Sequence, residues 1–320
     1  MSHTVHPPHR RLWSGLALDA NVSGASAEAE EVGILGLPFD GASSFRRGSA
    51  GAPDRIRSLT PHIAPFTEDG EPLEGLRIHD YGNVETQATW DAFAANAETA
   101  AATALRHRFA LFLGGDHAVT IPVFAAAARR LPGPIGLLHL DAHLDLMDRF
   151  EGRDWSHACT ARRLIEAPNV DRSKVAFVGI RSWLDEERAF ADEHPDMAIH
   201  PARAVWERGP TEISNAVCAQ LRGAASIYVT IDIDVLDPAF APGTGTPEAG
   251  GLSTRDLLEL LRIVFRELPV RALDLVEVSP PLDPSDITSF AAAKVIYEVF
   301  GWVRACGGAE TLMTNAKRSD

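Results

Sequence analysis

The sequence predicts an α/β protein of three layers, α/β/α, on a mainly parallel sheet of about eight strands. Short apolar or β-branched runs alternate along the chain with longer segments of helical apolar spacing, the pattern of strands joined by crossover helices. The run starting at Ile135 is apolar or glycine through Leu138, as a strand covered on both faces is. No internal repeat and no linker composition divides the 320 residues. One domain is therefore expected over 31–305, with an N-terminal arm over 1–30 and a polar C-terminal tail over 306–320.

In order, Val32–Phe39 reads as the first buried strand, and 40–53 as a Gly/Ser loop too irregular for a phosphate-binding glycine fingerprint. Pro53 suits the first turn of a short helix through Leu59. Arg77–Gly82 is a short strand, and the alanine-rich Ala88–Arg108 a long helix. Phe109–Gly115 and Ile135–Asp141 are strands with the helix Val119–Arg130 between them. Helices are expected over Ala158–Glu166, Asp185–Glu193 and Thr211–Arg222, and strands over Val175–Arg181 and Ala198–Pro201. Ser226–Asp234 is a strand on its β-branched alternation. The Pro/Gly-rich loop Asp237–Gly251 is long enough to suggest function. Ser253 with Asp256 three residues on starts a helix through Glu267. Val270–Val278 is the last strand, and Ile287–Ala305 the last helix. His3, His6 and His9, beside Pro7 and Pro8, read as part of a flexible or surface-laid arm.

Four strands end in polar groups. After Leu138 come His139, Asp141, His143 and Asp145, alternating with apolar residues; extended backbone would point all four to one side. The strand from Ser226 ends in Asp232 and Asp234, that from Phe109 runs through two glycines to Asp116 and His117, and that from Val270 ends near Glu277. Sites in open α/β sheets lie at the carboxyl ends of strands. Carboxylates buried together need shared cations or protons. Oxygen ligands mixed with imidazole suit manganese, with nickel, cobalt, iron or zinc also allowed.

A net charge of −14 argues against a nucleic-acid partner and favours a cationic small molecule. The 45% hydrophobic content supports a sizeable core. No apolar run is long enough for a membrane span, and Cys159, Cys218 and Cys306 read as reduced thiols of a cytoplasmic protein.

The motifs GGDH at 114–117, DAHLD at 141–145, DIDVLDPAFAPGTGTPEAGG at 232–251 and EVSP at 277–280 resemble those of the ureohydrolase family of arginases and agmatinases, over roughly residues 30 to 305. The pattern is nearest to agmatinase-like guanidino hydrolases, and the resemblance implies the arginase-like fold. It also implies six metal ligands, His117, Asp141, His143, Asp145, Asp232 and Asp234, holding two divalent ions with Asp141 and Asp232 as bridges. The implied reaction is attack of a metal-bridging hydroxide on a guanidinium carbon, releasing urea and an amine. Glu277 matches the carboxylate that pairs with the guanidinium. His157 matches the proton-shuttling histidine, with Ala158 where arginases and several agmatinases have glycine. A trimer or hexamer is implied as well.

Asp116 and His139 are candidates for orienting ligands, and Thr246 for bonding the substrate head. Arginases carry Asn and Ser in the segment matching 146–156. This chain has no Asn there, which disfavours arginine. Arg149 and Arg153 can bind the carboxylate of an acid such as 4-guanidinobutyrate, or pair with Asp148, Glu151 and Asp154 beside them. The second arrangement leaves a slightly negative loop and favours agmatine, ahead of guanidino acids and guanidine. Arg46 and Arg47 read as salt-bridged surface groups. A mononuclear zinc deacetylase is the competing enzyme class; His117 and Asp145, ligands for a second ion, argue against it. A non-catalytic scaffold is a further alternative, and the complete ligand set argues against that.

Overall fold

A computed structural model describes residues 12–17 and 31–316, with side chains through 306. Its centre is one eight-stranded sheet in which all pairings are parallel. The strands are β1 (Val32–Leu37), β2 (Ile78–Asn83), β3 (Phe109–Gly114), β4 (Ile135–Leu140), β5 (Val170–Ile180), β6 (Ala198–Pro201), β7 (Ser226–Asp232) and β8 (Val270–Val276). The helices are α1 (Ala52–Leu59), α2 (Trp90–Ala104), α3 (Thr120–Arg130), α4 (Thr160–Ile165), α5 (Asp185–Glu193), α6 (Ala202–Arg208), α7 (Pro210–Leu221), α8 (Thr254–Glu267) and α9 (Ile287–Ala316).

The predicted three-layer architecture is the one observed. Strand order is β2-β1-β3-β8-β7-β4-β5-β6. Residues one apart along a strand serve opposite layers, the period-2 consequence of pleating. Leu111 and Leu113 of β3 pack with α1, α7, α8 and α9. Ala110 and Phe112 pack with α2, α3 and α4. Burial on both faces explains why β1, β3, β4 and β7 are buried along their whole lengths.

This order decides where the site lies. The strands β3, β8, β7 and β4, whose ends carry the polar motifs, are consecutive at the centre of the sheet. Neighbouring strands are about 5 Å apart, so the four ends span about 15 Å and side chains rising from them can converge.

Several boundaries differ from the sequence expectation. The strands stop sooner, β4 at Leu140 and β8 at Val276, so most of the acidic residues stand in the turns that follow. Strand β5 starts at Val170 rather than Val175, and α6 was not anticipated. Helix α9 continues to Ala316, past the expected end at Ala305 and into the stretch read as a polar tail.

The N-terminal arm is not loose where it is described. Trp13 is fully buried. Its indole N–H donates to Asp80 Oδ2 at 2.7 Å, its backbone N–H donates to Thr60 Oγ1 at 2.8 Å, and its ring meets Phe300 of α9 edge-on at 5.7 Å. His3, His6 and His9 lie outside the described residues. Among the described residues Cys159, Cys218 and Cys306 form no disulfide. Among the described residues no helix is long and apolar enough to cross a membrane.

Removing a fully buried Trp leaves a cavity and takes one donor from Asp80, which keeps its ion pair with Arg57. Trp13→Ala is expected to lower unfolding free energy by about 3–5 kcal/mol in urea titrations. A change under about 1 kcal/mol would show that this segment is no anchor.

Candidate metal centre and substrate cavity

The ligand cluster begins where β3 ends. Gly115 sits against the backbone of Phe39; a Cβ there would meet the Phe39 carbonyl at 1.9 Å, so only glycine passes. Asp116 N–H donates to that carbonyl at 2.8 Å. The Asp116 side chain accepts from the N–H groups of Ala42 and Ser43 at 2.7 and 3.1 Å, which pins the loop after β1. Burial pushes the Asp116 carboxyl up to about 7, against the pull of these backbone donors. Asp116 also accepts from Ala118 N–H at 3.2 Å and so caps the turn that carries His117.

His117 Nδ1 lies 3.1 Å from Asp141 Oδ2, 3.0 Å from Asp145 Oδ2 and 3.4 Å from Asp232 Oδ2. His143 Nδ1 lies 3.3 Å from the other oxygen of Asp141 and 3.2 Å from Asp234 Oδ2. Two clusters result, and Asp141 gives one oxygen to each. All six residues expected as ligands are thus brought together. His139 joins them, its Nε2 3.0 Å from Asp141 Oδ2 and its ring stacked on His117 at 5.1 Å.

The alternation that pointed to these residues does not position them. Asp141 to Asp145 is a turn, with Asp145 at φ 53°. Asp232 ends β7, and its Oδ1 caps the following 3-10 turn by accepting from Asp234 N–H at 2.9 Å. The carboxylates converge because tight turns fold them back over the strand ends.

The donor set fits divalent cations. His117 Nδ1, Asp141 Oδ2 and Asp234 Oδ2 are buried and lack a hydrogen-bond partner. Buried polar atoms rarely stay unpaired, and several lone-pair atoms aimed at one point are what a cation satisfies. Burial, with the charges of Asp234 and Asp141, drives the Asp232 carboxyl well above its usual range. Four carboxylates cannot all ionise here without positive charge between them.

Beside the cluster is a cavity of about 150 Å³ lined by Ser44, His143, Asp145, Phe150, His157, Ala158, Ser182, Trp183, Leu184, Glu187, Asp232 and Thr246. His157 Nε2 is 2.9 Å from Ser44 Oγ, and its Nδ1 is 3.9 Å from Glu277 Oε1. Burial lowers the His157 pKa. Glu277 is buried with φ 63°, and its Oε1 accepts from His117 N–H at 2.9 Å. Burial and the neighbouring Asp116 raise its pKa well above the carboxylate range.

Thr246 lines the cavity, as expected of a head-group contact, but Arg149 and Arg153 do not. Arg149 turns back to the Gly152 carbonyl at 2.8 Å. Arg153 donates to the Gly41 carbonyl at 3.0 Å and lies over the Trp155 ring. The ion pairs expected beside them are not observed either, since Asp148 pairs with Arg163 at 2.8 Å. Arg46 is no salt-bridged surface group: it donates to the carbonyls of Gly245 and Thr244 at 3.0 and 2.9 Å and so holds the Thr246 loop.

The sequence reading missed Ser44, Trp183, Glu187 and Arg181. Glu187 accepts from Leu146 N–H at 3.0 Å and Leu184 N–H at 3.1 Å, and burial beside Asp145 pushes it up to about 7. Arg181 donates to the carbonyls of Asp234 and Glu248, each at 2.6 Å, tying the long loop after β7 to the ligand turn. Only the proximity of Arg181 to the end of a predicted strand could have marked it.

Comparison with known proteins settles the class. A sequence model described as the arginase family matches residues 30–301. The chain belongs to the arginase family. It is 36% identical to an agmatinase of Bacillus anthracis, over 87% of this chain and 94% of that one. It is 34% identical to a guanidinopropionase of Pseudomonas aeruginosa, over 85% of this chain and 86% of that one. The crystal structure of a hypothetical agmatinase from Burkholderia thailandensis superposes with a TM-score of 0.80 at 30% identity, covering 88% of this chain and 89% of the other. This arginase-family chain is thus an amidinohydrolase acting on guanidino compounds, as the sequence motifs implied.

Proposed function

We propose that this enzyme hydrolyses agmatine to urea and an amine, using two divalent ions, manganese foremost, held by His117, Asp141, His143, Asp145, Asp232 and Asp234. The observation that carries the substrate choice is the charge of the cavity wall. Of its acids, Asp145 and Asp232 belong to the metal centre and Glu187 is left to face a substrate tail, and among the described residues no Lys or Arg lines it. A guanidino acid would bring its carboxylate towards Glu187 with no basic side chain to receive it, whereas a terminal ammonium meets a favourable partner. Named relatives cannot make this choice, because agmatinases and guanidino acid hydrolases match about equally well. We further take the working form to be a homo-oligomer.

When bound, the metal pair supplies a water of lowered pKa as nucleophile. Asp141, with one oxygen in each cluster, keeps the two cation positions close. Glu277, held through its backbone and Oε1, pairs its carboxylate with the planar guanidinium and sets its carbon towards the metal cluster. Guanidinium is delocalised and resists attack, so this orientation and charge balance lower the barrier. His157 is kept neutral by burial and can take a proton at Nδ1, the ring nitrogen facing Glu277, and return it to the leaving amine nitrogen. Ser44 fixes the ring from the opposite side.

Metal analysis of manganese-loaded protein is expected to find two ions per chain, and Asp141→Asn fewer, with activity lost. Two ions retained by Asp141→Asn at wild-type affinity would remove its bridging role. Glu277→Gln keeps shape but removes charge. It should reduce kcat/KM by about 2–5 kcal/mol, roughly 30- to 5,000-fold. An unchanged value would exclude Glu277 from guanidinium binding. Steady-state urea release should rank agmatine above 4-guanidinobutyrate, arginine and guanidine in kcat/KM; a higher value for any guanidino acid overturns the reading of the cavity wall.

A further inference from the structure

Beneath His117 a buried polar chain crosses from β7 to β8. His117 Nε2, on the far side of the ring from the carboxylates, is 2.8 Å from Thr230 Oγ1. Thr230 Oγ1 is 2.5 Å from Asp274 Oδ1, and Tyr228 OH is 2.6 Å from Asp274 Oδ2. Thr230 and Asp274 are register partners, and Tyr228 stands two residues before Thr230 on the same face of β7. All three are fully buried.

Donor counting assigns the direction of every bond. A carboxylate accepts, so Tyr228 and Thr230 both donate to Asp274, one to each oxygen. A threonine hydroxyl has a single hydrogen. With that hydrogen committed to Asp274, Thr230 Oγ1 can only accept from His117, so Nε2 carries a proton. In the neutral ring the other nitrogen, Nδ1, is then unprotonated. It is Nδ1 that meets Asp141, Asp145 and Asp232. The ring is also held in plane, since Nε2–H is bonded on one edge while His139 stacks on its face.

We propose that Tyr228, Asp274 and Thr230 form a positioning chain that presets His117 as a metal donor and strengthens binding of the cation on the His117 side of the centre over that on the His143 side. This rests on the metal-binding reading above. His143 is the more open of the two ligands, its side chain 26% exposed against 1% for His117. The Asp274 carboxyl, two hydrogen bonds behind His117, fixes the hydroxyl that holds its ring, as groups behind metal-bound histidines do.

The test is titration of metal-free protein with manganese, followed by calorimetry, for wild type, His117→Asn, Thr230→Val, Thr230→Ser and Tyr228→Phe. His117→Asn identifies which binding step belongs to His117. Thr230→Val keeps the shape of the side chain and removes its hydroxyl. It is expected to weaken that step about 10- to 100-fold and leave the other step unchanged. Thr230→Ser, which restores the hydroxyl, should restore affinity, and a purely packing role would not predict that rescue. Tyr228→Phe should weaken the same step by less, and it decides the matter if Thr230→Val does not fold. An unchanged His117 step, or equal weakening of both steps, overturns the proposal. If wild type takes up one ion, the two-ion reading falls, while the loss in Thr230→Val at that ion still decides this one.

Discussion

Four carboxylates buried within reach of one another are the constraint on which the rest of this structure depends. Asp141 and Asp234 are almost wholly buried and Asp145 and Asp232 nearly so, and no lysine or arginine stands among them. Such a group repels itself in a low-dielectric interior and is tolerated only with cations between its members. The protein supplies everything except those cations. The strands β3, β8, β7 and β4 set the floor, and tight turns bring the oxygens over it. Backbone N–H groups then occupy the lone pairs not needed for metal. His143 N–H takes Asp141 Oδ1 at 2.6 Å, Ala142 N–H takes Asp234 Oδ1 at 3.1 Å, and Asp234 N–H takes Asp232 Oδ1 at 2.9 Å. Asp141, Asp232 and Asp234 are thus anchored from the backbone and cannot swing away to solvent.

Much of this was legible in the sequence, for a physical reason. A strand buried on both faces must be apolar, so acids at its end stand out against the run before them, as Asp232 and Asp234 do after Ser226–Ile231. Strand order then follows from packing, and the ligands come together without further signal. The same logic misled on geometry. Alternation at 139–145 read as extended backbone, yet β4 stops at Leu140 and the ligands sit in a turn. Composition cannot show where pairing ends, because that depends on whether β5 and β7 still run alongside.

Other residues were invisible because their roles are long-range. Trp13 looks like one aromatic in a polar arm until Asp80 and Phe300, far along the chain, are seen to receive it. Arg46 reads as a surface charge and Arg181 as the end of a strand, yet both collect backbone carbonyls from the loop 234–251. Thr230 and Tyr228 read as strand residues of high β-propensity, and nothing local reveals that Asp274 on the next strand meets both. The walls around the substrate tail come from loops after several different strands, including Ser44, Phe150, Trp183 and Thr246. The head group is therefore legible from motifs, whereas the tail is decided by side chains with no fixed spacing between them.

Backbone strain marks the same division. Glu277 and Asp145 adopt left-handed φ values of 63° and 53°, where a side chain is disfavoured and glycine is at ease. Such conformations cost of order 1–3 kcal/mol each and persist only where the surroundings over-determine them. Here they do. Glu277 N–H donates to the Gly115 carbonyl at 2.7 Å while its Oε1 receives His117 N–H, so β3 and β8 lock it from two directions. The Asp145 carbonyl receives Arg162 N–H from α4 at 3.0 Å, and its side chain faces His117. Glycine would relax both backbones but would bring no carboxylate. The positions where the fold asks for glycine and an acid stands instead are the two beside His117. There the chemistry prevails, because neighbouring strands hold the strained turns in place.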